Sequence, residues 1–342
     1  MMKANKLKVV VAAAAAALCF TAANAQETTL TISSWAPPTH GVNAKMWPDL
    51  ISRIEKATEG RVTAEIKYNL APPPAQADII SDGVADIAWV VHNYTAGRFP
   101  SATMAELPGF GGDTEAFSVA YWRTFEKFFQ QANEHRDLKV LALYSHGDGM
   151  LHSSTKVETL DQIAGMKLRI GGGVAGKVGE ALGASSINVP APRVYETLDS
   201  NAADGVLMPM ESKLGFRLTE VAEHSYAMPS GFYRTSIATV MNQDKFDSLS
   251  KADQAALDEL FGEELSRIAG ALWDEFDAEA LAALDGAGNT LTMATEADQA
   301  IWADKSKVII DEVIADISEK GIDAAAAYEF FQAEFKRLNA EK

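Results

Sequence analysis

Thr29-Leu30-Thr31-Ile32-Ser33-Ser34-Trp35 is a β-type run stopped by Ala36-Pro37-Pro38, and the segments downstream of it set the architecture. Met46 to Thr58 places Met46, Leu50, Ile54 and Ala57 at helical spacing and closes on Gly60, which predicts a helix. Arg61 to Leu70 reads as a second strand. After the prolines at 72 to 74, Ala75 to Gly83 reads as a helix and Ala85 to Val91 as a buried third strand. Alternation of strand and helix with short connections predicts an α/β fold, a mainly parallel sheet covered by helices on both faces. A helix over Glu115 to His135 and a strand over Leu138 to Tyr144 extend it.

A second series begins near Met150. It contains a strand over Met166 to Ile170, helices over Ala175 to Leu182 and Arg193 to Asn201, and a strand over Gly205 to Met208. Two α/β lobes account for this better than one very large sheet. From Ser250 to Asp285, Leu257, Leu260, Phe261, Leu265, Ile268, Leu272, Trp273 and Phe276 recur at three and four residues, predicting one amphipathic helix. At 1.5 Å per residue it would reach about 50 Å, enough to span both lobes. Amphipathic helices over Glu296 to Lys320 and Ala324 to Leu338 complete the chain.

The first 25 residues have the three parts of a secretory signal peptide: Lys3, Lys6 and Lys8, the apolar run Val9 to Phe20, and small residues ending in Ala23-Asn24-Ala25. The apolar run is too short to cross a bilayer, so the expected product is a soluble periplasmic protein beginning at Gln26. Cys19 is the sole cysteine and lies inside that signal, so core packing without a disulfide must hold the exported chain. Of the 342 residues 47% are hydrophobic, which excludes intrinsic disorder, and 30 basic residues against 47 acidic give a formal charge of −17. That field repels phosphodiesters and anionic lipid, so neither nucleic acid nor a membrane surface is an expected partner.

Motifs for chemistry are sparse. Gly171-Gly172-Gly173-Val174-Ala175-Gly176 satisfies G-x-G-x-x-G between a strand and a helix, but deep in an exported chain it reads as a strand-to-helix turn whose amides could hold a small anion. The six histidines lack the spacing of a helical zinc pair, no G-x-S-x-G elbow occurs, and no thiol is left for catalysis. No metal and no cofactor are expected.

Met166-Lys167-Leu168-Arg169-Ile170 delivers a guanidinium to the C-terminal end of a strand, where α/β sheets bind ligands. Its two parallel donors suit an organic carboxylate, while a structural ion pair with one of the many acids stays open. Trp35, Trp89, His92, Tyr94 and Phe99 crowd strand ends of the first lobe, and Phe232-Tyr233-Arg234 follows Pro229-Ser230-Gly231 at a candidate crossover. Such aromatics can be core or the walls of a pocket.

The chain resembles the DctP-type solute-binding proteins of TRAP transporters over nearly the whole mature length. The resemblance rests on Glu55-Lys56-Ala57-Thr58-Glu59-Gly60-Arg61-Val62, Asp82-Gly83-Val84-Ala85-Asp86-Ile87-Ala88, Tyr94-Thr95-Ala96-Gly97-Arg98-Phe99-Pro100, Gly165-Met166-Lys167-Leu168-Arg169 and Val194-Tyr195-Glu196-Thr197-Leu198. It implies a two-lobed periplasmic receptor with hinge strands and a long interdomain helix, which delivers organic acids to a TRAP membrane permease. Lobe I would be 26–147 plus about 235–272, lobe II 148–234 plus about 273–342, and the helix 250–285 would be shared. Arg169, in the family's G-x-K-x-R strand, would bind the carboxylate.

Two departures from the sialic acid binders reduce the polarity of the pocket. A second arginine about twenty residues before Arg169 is missing, the region reading Asp148-Gly149-Met150-Leu151-His152, and Met208 stands where an asparagine is frequent. The expected ligand is therefore a small apolar or aromatic carboxylate, contacted by Arg169, Trp35, His40, Trp89, His92, Tyr94, His152, Met208, Met210 and Phe232. The rival reading is an exported α/β enzyme acting on a small organic acid, and turnover separates the two.

Overall fold

The computed structural model describes residues 28–341, so the signal-peptide reading, Cys19 included, lies outside the described residues. The chain begins with β1 (Thr28–Ser34), α1 (Trp47–Ala57), β2 (Val62–Tyr68), α2 (Gln76–Ser81), β3 (Ile87–Val91), α3 (Thr114–Thr124) and β4 (Leu138–Ser145). It continues with β5 (Met150–Ser153), β6 (Lys167–Ile170), α4 (Val174–Ala181), β7 (Ser185–Asn188), α5 (Val194–Asp199), β8 (Gly205–Met208), α6 (Ser212–Gly215) and β9 (His224–Ala227). The last elements are β10 (Ser236–Asn242), α7 (Gln243–Ser248), α8 (Lys251–Asp258), α9 (Glu263–Ala283), β11 (Thr290–Met293), α10 (Glu296–Ser318) and α11 (Ala324–Ala340).

Two sheets result, ordered β2-β1-β3-β10-β4 and β11-β9-β5-β8-β6-β7. β1 runs parallel to β2 and β3, as its helical crossovers require, and β6 runs parallel to β7 and β8. The sheets are mainly parallel as expected, with one reversed strand in each: β10 is antiparallel to β3 and β4, and β5 is antiparallel to β8 and β9. Each of these strands arrives directly from the other sheet and so enters at the end facing it. The two crossings run side by side, with Gly149 N–H donating to Tyr233 O (2.9 Å) and Phe232 N–H to Gly149 O (3.1 Å).

The single helix expected over 250–285 is two helices. The break falls at Gly262, whose φ of +80° suits glycine and whose N–H donates to Leu141 O of β4 at 2.7 Å. A side chain there would meet the Trp122 ring at 3.0 Å, so close docking on β4 ends α8 and starts α9. The 21 residues of α9 reach about 30 Å. They run from β4, where Ser266 Oγ accepts from Leu143 N–H, to the segment after β8, where Asp277 accepts from Glu211 N–H.

The helix expected over Glu115 to His135 is regular only to Thr124 and then loosens into wide and tight turns ending at left-handed Asn133. At the C-terminus α11 packs on α3, with Phe331 against Phe110 and Phe117, so the chain's end lies beside the first sheet and not only with the second.

Candidate functional site

The ends of β1, β3, β6 and β8 converge on a cavity closed by the two crossings and α9. Its free interior is about 50 Å³, room for a few waters or one small ring. Trp35, His40, Trp89, Tyr94, Arg169 and Met208 line it, six of the residues expected from the sequence. Trp35, just past β1, and Trp89 of the adjacent β3 stack with centroids 4.0 Å apart, and Tyr94 meets Trp35 edge-on at 6.1 Å. The Tyr94 hydroxyl accepts from Ala191 N–H (3.0 Å), which fixes the ring at the mouth of the turn after β7.

Arg169 is the polar centre of this wall. It is 2% exposed, its Nε–H donates to Val189 O at 2.8 Å, and Nη2 has no partner. Among the described residues no carboxylate lies within ion-pairing distance of it. A guanidinium stays charged, so a buried and unpaired one is costly and favours an arriving anion. Arg234, 1% exposed, is the internal contrast: its nitrogens donate to Phe110 O, Thr114 Oγ1, His146 O and Gly112 O, and Nη2 forms an ion pair with Asp148 at 2.9 Å. That saturated set braces the crossings and leaves nothing for a ligand.

Four expected residues lie elsewhere. His152 is centred in its sheet with both ring nitrogens spent, on Ser225 Oγ (2.9 Å) and Pro209 O (3.1 Å), and burial pulls its pKa down to about 3. His92 turns away from the cavity onto Ser236 Oγ (2.7 Å) and His135 Nε2 (2.9 Å). Met210 packs with Ala280 and Leu284. Phe232 packs edge-on against Trp302 at 5.0 Å in the core. Alternation along extended chain explains the last case, since Tyr233, the next residue, lines the cavity.

Sequence reasoning missed Asn93, His146, Glu211, Phe216 and Trp273, all lining residues, and named Tyr233 only among the aromatics of the candidate crossover. His146 donates from Nδ1 to Gly147 O (2.6 Å), and burial lowers its pKa to about 4, so it is a neutral ring. Glu211 is 4% exposed and sits 3.4 Å from Nε2 of fully buried His40.

The anion-binding reading of the glycine turn is overturned. Gly172 and Gly173 do take left-handed φ values, +113° and +59°. The free N–H of Val174 at the start of α4, however, donates to Glu106 Oε2 (3.1 Å), and a Cβ on Gly173 would lie 2.2 Å from that oxygen. The chain's own carboxyl fills the place a ligand or pyrophosphate would take. Burial raises the pKa of Glu106 to about 8.

Two α/β lobes around a shared cavity, with an unpaired guanidinium at a strand end, define a receptor for a small anion. The chain belongs to the DctP family, bacterial extracellular solute-binding protein family 7, whose model matches residues 33–316. A TRAP periplasmic solute-binding protein of Bordetella bronchiseptica, solved with bound (R)- and (S)-mandelate, is 38% identical with a TM-score of 0.87, covering 91% of this chain and 99% of its own. A marine metagenome TRAP protein specific for aromatic acids, solved with 3-hydroxybenzoate, is 28% identical with a TM-score of 0.87, covering 92% and 99%. A third, from Rhodoferax ferrireducens T118 with copurified benzoate, is 25% identical with a TM-score of 0.86, covering 91% and 98%. Among the described residues no helix is long and apolar enough to cross a membrane.

Proposed function

We propose that this chain captures a small aromatic monocarboxylate in the periplasm and delivers it unchanged to a TRAP permease. The observation that carries the reading is Arg169, buried without an anionic partner beside the stacked Trp35 and Trp89. The guanidinium takes the carboxylate, and the indole wall takes the ring by stacking and desolvation. Met208 and Phe216 complete an apolar lining that leaves a nine-carbon polyhydroxy acid without partners for its hydroxyls. The similarity to proteins solved with mandelate, 3-hydroxybenzoate and benzoate supports the same class. In this reading the two lobes close on the ligand by bending at the crossings, and ligand charge favours the closed form.

Calorimetry on the mature protein with benzoate, phenylacetate, mandelate, succinate and sialic acid tests it. Saturable binding confined to the aromatic acids, each recovered chemically unchanged, is the expected result. Binding of sialic acid or succinate in their place, or turnover of any of them, overturns it.

A further inference from the structure

The cavity carries an acid as well as a base. Contacts run in order along one wall. A Cβ on Gly171 would lie 3.9 Å from Arg169 Nη2 and 3.3 Å from Tyr94, Tyr94 meets Trp35, Trp35 stacks on Trp89, Trp89 approaches His40 at 5.8 Å, and His40 faces Glu211. Arg169 and Glu211 thus both border the cavity that this aromatic surface lines.

The Glu211 side is under-satisfied. Among the described residues no donor hydrogen-bonds to the Glu211 side chain, and His40 Nε2 lies 3.4 Å from its Oε2. That nitrogen is itself buried and without a hydrogen-bond partner. Val42 N–H donates to His40 Nδ1 (3.2 Å), so in the neutral ring the proton sits on Nε2. A donor on Nε2 and an acceptor on Glu211, slightly too far apart to satisfy one another well, match a hydroxyl group. Its oxygen accepts from Nε2–H and its proton goes to the carboxylate. An unsubstituted aromatic acid would answer Arg169 and leave this pair as it is.

We infer that Glu211 with His40 forms a second polar subsite that selects aromatic acids carrying a hydroxyl group. The inference rests on the aromatic-acid reading and deepens it. Glu211 is a specificity-determining residue, and the hydroxyl replaces a poor internal contact by two good ones.

Calorimetry with two matched pairs, 3-hydroxybenzoate against benzoate and mandelate against phenylacetate, tests it. In the native sequence at least one hydroxy acid is expected to bind ten- to a hundredfold, roughly, tighter than its parent, the range of a hydrogen bond to a charged group. The O-methyl ether of that acid, which cannot donate, is expected to lose the advantage. Glu211→Met should bring the favoured pair within about threefold of one another. Both pairs binding with equal affinity, or a preference undiminished in Glu211→Met, overturns the subsite and leaves the aromatic-acid reading standing. Failure of all four acids to bind overturns that reading instead. If Glu211→Met does not fold, the native protein with hydroxy acid, parent and ether decides alone.

Discussion

Trp35, just past β1, and Trp89 of the neighbouring parallel β3 lie face to face, 4.0 Å between centroids and 4° from parallel, against a cavity that also holds an unpaired Arg169. The pairing follows from topology. β1 and β3 are adjacent, so residues just beyond or near their C-terminal ends stand side by side.

An aromatic ligand against this stack must change its emission. Intrinsic tryptophan fluorescence should shift or quench saturably on adding a bound aromatic acid, with the same midpoint as calorimetry. In Trp35→Leu the affinity should fall by about 1 kcal/mol, the scale of one aromatic contact. A fluorescence response that survives unchanged in both Trp35→Leu and Trp89→Leu would place the ligand elsewhere.

Arg169→Met should cost about 2–5 kcal/mol of binding free energy, because a buried charge pair is then never formed. The empty protein should melt at the same temperature or higher, since the substitution removes an uncompensated buried cation. Loss of stability comparable to that of Arg234→Met would instead give Arg169 a bracing role.

Glu106 makes the folded state sensitive to pH. Its pKa is raised by burial from 4.5 to about 8, so between those values the native chain holds a proton that the unfolded chain has released. The stability it contributes is present below about pH 4.5 and is lost as pH rises through 8, and buried Asp277, also raised, acts in the same direction. Above the range in which buried His146 and His152 act in the opposite sense, thermal melts from pH 7 to 8.5 should fall in the native sequence and fall less in Glu106→Gln. Parallel curves for the two would show that Glu106 is ionised throughout.

Strand and helix alternation from β1 to β3 was legible because each segment buries a clear face, as at Leu30 and Ile32 or Leu50 and Ile54. The antiparallel β10 was not. Ser236-Ile237-Ala238-Thr239-Val240-Met241-Asn242 is buried throughout, so it shows no alternation, and its direction depends on where the chain arrives from. Periodicity alone carried the helix expected from Ser250 through Gly262, where a tertiary contact with Leu141 outweighed it. In the site, Arg169 and the indoles announced themselves by position at strand ends. Trp273 read as one apolar residue of a helix and Glu211 as one of 47 acids, since only the meeting of the two sheets gives either a cavity to face. His152 and Phe232 were the reverse case, plausible ligand contacts by type that the pleat directs into the core.

The paired crossings at Gly149 and Tyr233 restrict how this receptor can vary. A Cβ on Gly149 would lie 2.2 Å from the Tyr233 ring, so the two legs are locked together like the plies of a laminated spring. The paired legs hold the two sheets in one fixed register across the cavity. New cargo preferences are therefore open to change at the walls, at Trp35, Met208, Phe216 or Glu211, while the spring itself tolerates almost none.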